Sequence, residues 1–423
     1  MLVRLLYTLL LALAAPLLLF GLYRSKPNKP KFGQRWKEHF GITPKLDGQN
    51  QPLWIHAVSV GESLAAIPLI KAIKEKTPDQ VIVVTTTTST GAEQIAKLGN
   101  LVEHRYMPID FAFAVRGFLK AINPAKMLII ETELWPNTLA TVHKANIPII
   151  VVNARLSEKS QQNYAKVQSL FNLIHPCLSK VLCQSQADAD RFAQLGVPTN
   201  KLSVTGSIKF DIHISDEIKR QGVELRTLLG QQRPVWIAAS THKGEDEQVL
   251  DAHRQVLETH PNALLILVPR HPERFDSVFE LCKTQGFETV RRTQANTIAD
   301  STQVYLGDTM GEMLILLGAA DVCFMGGSLV GDKVGGHNVL EPAALGVPVI
   351  TGPSCYNFKE ITLELLQENG IAIAESVQLG LHVLQLLTDK ALQINTAQAA
   401  LTVVQKNQGA LARTLLACMD ETR

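Results

Sequence analysis

The sequence predicts two α/β domains, each a parallel sheet with helices on both faces, preceded by a short membrane-anchoring helix. Three observations carry this expectation. From about residue 50 onward, short apolar runs alternate with helical stretches, the pattern of parallel sheets. The alternation breaks once, at the polar and weakly patterned segment 211–232. A Leu-rich run stands ahead of everything else. A chain of 423 residues has room for two cores of ordinary size. The expected division is 1–24 for the anchor, 25–50 for a basic juxtamembrane segment, 51–215 for the first domain and 216–423 for the second.

Composition narrows function by exclusion. The formal charge is +2, so no global field marks the chain for nucleic acid, and no such partner is expected. Six cysteines are scattered without a CxxC, which argues against a disulfide framework or structural zinc and fits a reducing compartment. No GxGxxG follows the first strand of either domain and no GxxxxGK[ST] occurs. A dinucleotide-dependent dehydrogenase and a P-loop enzyme are therefore disfavoured.

Leu5 to Tyr23 is an uncharged run of nineteen residues, just long enough to span a bilayer. No small-residue cleavage site precedes the charges that follow, which disfavours a cleaved signal peptide. Arg24, Lys26, Lys29, Lys31, Arg35 and Lys37 come next with no acid among them. That cluster keeps the rest of the chain on the cytoplasmic side and suits anionic lipid. Arg4 weakens the asymmetry, and Pro16 and Gly21 leave a shallow, non-spanning anchor open.

In the first domain the expected strands are PLWIHAV, QVIVVTTTT, KMLIIET, IPIIVVNA, KVLCQS and KLSVTGS. Ligands of such sheets bind beyond the carboxyl ends of the strands. Polar residues gather at those ends: Ser59 to Glu62, Glu131 to Asn137, Asn153 to Arg155, and Lys209. Glu62 sits at a strand-to-helix corner, where it should stay ionised and could take a proton from a hydroxyl; serving the helix dipole is the plainer alternative. Glu131 and Glu133 would share a face if the strand runs through them. With Trp135 they would suit carbohydrate hydroxyls, or they bond nearby loop NH groups. Arg155 and Lys209 are cations that could steady a phosphate or carboxylate, or lie on the surface.

The second domain repeats the pattern with PVWIAAS, ALLILVP, QVYLGD, DVCFMGG and VPVITG. AASTHKGEDE has the look of a phosphate-facing loop. Arg270 and His271 end a strand where they could reach a base or phosphate. Gly311 would let a ribose or base approach the backbone, and Glu312 starts the next helix. In GGHNVLEPAALGVPVITGP, the pair Gly335-Gly336 can take φ > 0. Asn338 and the NH groups of the following turn would then face a phosphate, and Glu341 could accept from a sugar diol. Phosphate donors beside a diol acceptor suit a nucleotide sugar.

Assembled, HAVSVGE, ETELWPN, NARLS, GSIKFD, AASTHKGE, VPRHPERF, GDTMGE and the Gly335–Pro353 stretch make the chain resemble the lipid A Kdo (3-deoxy-D-manno-octulosonic acid) transferases. The resemblance covers nearly the whole chain. It implies a GT-B architecture, two Rossmann-like domains facing a central cleft. It also implies inverting, metal-independent transfer of Kdo from CMP-Kdo to a lipid A precursor (lipid IVA) in lipopolysaccharide core biosynthesis. No cofactor is expected beyond the donor substrate. By position, the family's general base falls on Glu62, its second acid on Glu131 with Glu133 as the alternative, and its charge-steadying lysine on Lys209. Donor binding falls on Pro269 and Arg270, on Met310, Gly311 and Glu312, and on Asn338, Val339, Leu340 and Glu341. The implied location is the inner membrane, with the catalytic domains on the cytoplasmic side. Another GT-B transferase, using a UDP-sugar and a lipid-linked acceptor, is the nearest alternative. A membrane-tethered sugar-nucleotide binder without activity is a third, against which Glu62 and the Glu131/Glu133 pair argue.

Overall fold

Strands in the first half of the chain carry two interleaved sets of apolar side chains. Trp54, Met127, Ile129 and Val151 enter one core, while Ile55, Leu128, Ile130 and Ile150 enter another. Side chains alternate faces along a strand, so a sheet with both sets apolar must be covered on both sides. The computed structural model describes residues 2–24, 30–46, 48, 50–294 and 297–419, and it shows that arrangement.

The first sheet comprises β1 (Leu53–His56), β2 (Ile82–Thr86), β3 (Glu103–Tyr106), β4 (Lys126–Ile130), β5 (Ile149–Ala154), β6 (Lys180–Cys183) and β7 (Leu202–Val204). Their order is β3-β2-β1-β4-β5-β6-β7, all parallel. The rings of Trp54 and Phe118 lie 4.7 Å apart in one core, and full burial of such a side chain stabilises by about 1.5–3 kcal/mol.

The second sheet comprises β8 (Val235–Thr241), β9 (Leu264–Pro269), β10 (Thr289–Arg291), β11 (Val304–Leu306), β12 (Val322–Met325), β13 (Val349–Thr351) and β14 (Ile371–Ile373). Its order is β10-β11-β9-β8-β12-β13-β14, again all parallel. Three strands went unseen in the sequence: β3, β10 and β14. All three are sheet edges of three or four residues, and β3 and β10 carry exposed or half-buried polar side chains instead of a continuous apolar run.

The chain divides at Asp211/Ile212 and returns to the first unit at Gln408. Residues 408–419, assigned from sequence to the second domain, pack with the first unit, and 212–215, assigned to the first, belong to the second. The helix Ala410–Met419 lays Leu411, Leu415 and Cys418 on the core that holds Ile55 and Leu69. Asp211 fixes its start, accepting from the NH groups of Gly409 (2.6 Å) and Leu411 (2.5 Å).

Leu2–Tyr23 is helical, and among the described residues it is the one helix long and apolar enough to cross a bilayer. Within the basic cluster, Lys26 and Lys29 lie outside the described residues. Arg35 is committed to a two-bond ion pair with Glu38 at 2.7 and 3.0 Å, while Lys31 and Lys37 are exposed.

Candidate active site

The first sheet reverses its order between β1 and β4. The helix after β1, Val60–Lys76, packs on one face, and the helix after β4, Pro136–Lys144, on the other. Diverging helices open a crevice at the carboxyl ends of those two strands. Glu62 follows β1, and Glu131 and Glu133 follow β4.

Glu62 is part of a capping arrangement. Ser59 is the N-cap, its Oγ accepting from the Glu62 NH (3.4 Å) and donating to Glu62 Oε1 (2.8 Å). The Val58 NH donates to Oε2 at 2.7 Å. The plainer structural role is therefore real. The expectation that Glu62 stays ionised meets an opposing influence, because the residue is only 7% exposed. Burial pushes its carboxyl up to about 7, against the bonds from Val58 and Ser59, and the charges of Glu133 and Glu131 add to the rise. A carboxylate that exchanges its proton near neutrality is suited to general-base work.

The same-face argument for Glu131 and Glu133 fails. Strand β4 ends at Ile130, and Glu131 adopts φ 62°, the left-handed region. For a residue with a Cβ that conformation costs roughly 1–2 kcal/mol. Glu131 Oε1 lies 3.6 Å from Lys209 Nζ. Glu133 turns elsewhere and accepts from Trp135 Nε1 at 3.0 Å. The Trp135 ring in turn meets His56 edge to face at 5.3 Å. Glu62, Glu131, Glu133 and Lys209 thus gather at the carboxyl end of the sheet. Arg155 contributes its carbonyl, which accepts from the Thr132 hydroxyl and ties the two loops together.

Asn153 is a residue whose role the sequence did not disclose. It is fully buried with φ 55°, and its Oδ1 accepts from the Ile208 NH at 3.1 Å. That bond sets the turn Ile208–Phe210 from which Lys209 projects. The signal lay in Asn at the end of an apolar strand, since Asn tolerates the left-handed region better than most residues.

The second sheet reverses between β8 and β12. There the residues are imidazoles. His242, after β8, and His337, in the loop after β12, place their Nε2 atoms 2.8 Å apart with rings stacked at 5.0 Å. His271 meets His242 edge to face at 5.2 Å. Burial, reinforced by neighbouring cations, pushes His242 down to about 4 and His337 down to about 3. Both are neutral at pH 7, so one donates and the other accepts. Only His271 was singled out from sequence, although His242 and His337 stand in motifs that were quoted.

Several second-domain expectations change. The NH groups of Gly327, Ser328 and Leu329 converge as a phosphate loop would, but the fully buried Glu245 carboxylate already accepts from all three at 2.7–2.9 Å. Gly335 is required by packing: with φ 85°, an added Cβ would meet the Tyr356 ring at 2.3 Å. The helix after Asn338 is short, Leu340–Ala344, and Asn338 Oδ1 already caps the Leu340 NH at 3.1 Å. Asn338 Nδ2 donates to Glu341 Oε1 at 3.2 Å. Burial pushes the Glu341 carboxyl up, with Asn338 and the Arg270 charge working against it. Val339 and Leu340 are buried, which leaves only their backbone for a ligand. Pro269 is the buried last residue of β9 and Arg270 is exposed beyond it. Glu312 is taken by Arg292 in two bonds of 2.7 and 2.8 Å. Met310 is exposed, and open space surrounds Gly311, whose φ is 86°. The helices that follow Glu312 and Val339 pack on each other, so Arg270, Glu341 and the Met310–Glu312 turn belong to one end of this sheet.

Comparison with known proteins follows the same line. A family model described as 3-deoxy-D-manno-octulosonic-acid transferase (kdotransferase) matches residues 34–212. The 3-deoxy-D-manno-octulosonic acid transferase of Haemophilus influenzae is 41% identical over 416 residues, 97% of each chain. That of Bordetella pertussis is 35% identical over 384 residues, 87% of each. In fold alone the chain is similar to a solved UDP-GlcNAc 2-epimerase from Neisseria meningitidis, 12% identical, with a TM-score of 0.54 over 87% of this chain and 100% of that one. Both domains are parallel-sheet α/β units of the kind found in GT-B glycosyltransferases. The chain belongs to the 3-deoxy-D-manno-octulosonic acid transferase family of glycosyltransferases.

Proposed function

We propose that this enzyme moves Kdo from CMP-Kdo to a hydroxyl of a lipid A precursor at the inner membrane, with inversion at the transferred Kdo carbon and without a metal. The observation that carries the reading is Glu62: a buried carboxyl held near 7 beside Glu131 and Glu133, at the point where the first sheet reverses. An acceptor hydroxyl is a poor nucleophile at neutral pH, so its proton must leave as the new C–O bond forms. Glu62 takes that proton. The bond from Kdo to the CMP phosphate breaks on the opposite side, and its electrons go to the phosphate oxygen.

Lys209, steadied by Glu131, offsets charge as it develops. In the second domain, Arg270 and the His242–His337 pair are the groups suited to the leaving phosphate. Two neutral imidazoles in contact can take up a proton when an anion arrives beside them. Glu341, with Asn338, supplies the acceptor for sugar hydroxyls. Pro269 and the Met310–Gly311–Glu312 turn shape the donor pocket through backbone and apolar contact. The apolar helix Leu2–Tyr23 holds the enzyme at the membrane that carries its acceptor, with the catalytic domains on the cytoplasmic side.

The test is a product mass spectrum from purified protein, CMP-Kdo and a tetra-acylated lipid A precursor in detergent. Gain of whole Kdo units, lost in Glu62→Gln, is expected. Turnover with a UDP-sugar in place of CMP-Kdo would overturn the donor assignment.

A further inference from the structure

The anchor helix Leu2–Tyr23 is tied to the first domain at both of its ends. Near the start, Arg4 Nε donates to Asn137 Oδ1 at 2.9 Å, and Asn137 Nδ2 donates to Thr8 Oγ1 at 3.0 Å. Tyr7 Oη donates to Asp110 Oδ2 at 2.8 Å. At the far end, Tyr23 Oη meets His39 Nδ1 at 2.7 Å, and its ring packs edge to face on Phe32. At 1.5 Å per residue, positions 4 and 23 are separated by about 28 Å, close to the thickness of a bilayer core at roughly 30 Å.

The same division runs along the helix between those ends. Arg4, Tyr7, Thr8, Leu11, Ala15 and Leu22 are half-buried; apart from the adjacent Tyr7 and Thr8, they follow one another at three, four or seven residues on one stripe. Leu5, Leu9, Leu13, Leu17 and Phe20 are exposed on the other side. The polar partners are not surface accidents. Asp110 and Asn137 are buried, and Asp110 also accepts from the NH groups of Asn137 (3.2 Å) and Thr138 (2.6 Å). The anchor is thereby joined to the start of the helix that follows Glu133.

A helix crossing the bilayer would carry Arg4, Tyr7 and Thr8 to the opposite face, away from Asp110 and Asn137. That would leave buried polar groups without these partners, or draw the domain itself into hydrocarbon, and either is costly. We infer that the helix does not span but lies in the plane of one leaflet. Its leucine face is sunk among acyl chains, its polar stripe rests on the domain, and both ends stay on the catalytic side. The pattern is that of an interfacial anchor. A pocket of about 520 Å³ at the helix's C-terminal end supports it. Phe32, Trp36 and Phe40 line it beside Arg24 and Lys31, an apolar floor with cations next to it, a lining suited to acyl chains and their phosphates.

The inference rests on the proposal that this helix is the membrane anchor, and the experiment separates the two. A Gly/Ser tag with one cysteine is joined ahead of Met1 in the full-length protein. Half-buried Cys355 of the second domain serves as the internal marker, since the other five cysteines are buried. Sealed inner-membrane vesicles of both orientations are treated with a membrane-impermeant maleimide, and labelled peptides are identified by mass. Labelling of the tag and Cys355 from the same face, and of neither from the other, is the expected result. Labelling from opposite faces would overturn the in-plane arrangement while keeping the anchor. Recovery of the protein in the soluble fraction would overturn the anchor as well.

Discussion

The two sheets share one topology at their centres and carry opposite chemistry there. Each is parallel throughout, and each reverses order once, between β1 and β4 in the first unit and between β8 and β12 in the second. At the first reversal stand three carboxyl groups and a lysine, with Glu62 poised near neutrality. At the second stand three imidazoles and Arg270, with two of the imidazoles held neutral in contact. Desolvation acts on Glu62 and on the His242–His337 pair in opposite directions: it raises the acid toward protonation and lowers the bases toward neutrality. In the proposed mechanism the same backbone geometry yields a proton acceptor for a neutral hydroxyl in one unit and a pliable partner for an anion in the other. The proposed division of labour then lies in side chains placed on one repeated scaffold.

That division breaks most sharply at Glu62. Glu62→Gln should lower turnover by about 10²–10⁴-fold, the range of a single general base, with CMP affinity unchanged. A loss of CMP binding in this variant would place the donor at the first reversal and end the comparison. The counterpart is His242→Phe, which keeps the ring stack and removes the nitrogen that faces His337. Bonds to charged groups are worth about 1.5–3 kcal/mol, so donor KM should rise by roughly 10–100-fold while acceptor KM stays put. Intact donor KM with lost turnover would make the imidazoles catalytic, not donor-binding.

Proton linkage gives a gentler test of the first reversal. The folded-state pKa of Glu62 stands at about 7, raised from 4.5. The fold thus holds this proton more tightly than the unfolded chain does. Stability should fall by about 1.4 kcal/mol for each pH unit between 4.5 and 7 and level off above, as the group must ionise inside the protein. Activity should move the other way, with kcat/KM rising about tenfold per unit up to 7. Denaturant titrations and initial rates over that window read the two trends. Glu62→Gln should flatten its share of the stability slope, and a wild-type profile flat in both would remove Glu62 from the proton step.

Which parts of this were legible in the sequence follows from how each signal is written. The central strands are continuous apolar runs and read directly, whereas β3, β10 and β14 are short edges without such a run. Glu62 is legible because a strand end, a serine and an acid three residues on spell a capped helix start. Its shifted pKa was not, since burial comes from the whole fold. The return of helix Ala410–Met419 to the first core has no local sign, because a linker of any composition can carry a chain back. The imidazole pair joins residues 95 positions apart, beyond the reach of any spacing rule. The loop AASTHKGEDE and Gly335 misled for a shared reason: a polar loop with glycine after a strand suits a ligand and a protein group equally well, and here Glu245 and the Tyr356 ring take those places.

The smallest expected effect bears on strain. Glu131 follows β4 and Ser240 is the penultimate residue of β8, each next to its sheet's reversal, and both hold the left-handed region, at φ 62° and 59°. Glycine adopts it freely, so Glu131→Gly should recover roughly 1–2 kcal/mol of strain. Against this stand the added freedom of glycine in the unfolded chain, about 0.4–1 kcal/mol, and a half-exposed ion pair with Lys209 worth about 0–1 kcal/mol. The net gain is at most about 1.6 kcal/mol, or about 3–6 °C in Tm for a domain of this size. In the proposed mechanism, turnover should fall in the same variant, because Lys209 loses the carboxylate that steadies it. Ser240→Gly should give a similar gain in Tm with turnover retained. A Glu131→Gly protein that melts higher and works normally would show that the strain at the first reversal belongs to the turn alone, with no part in catalysis.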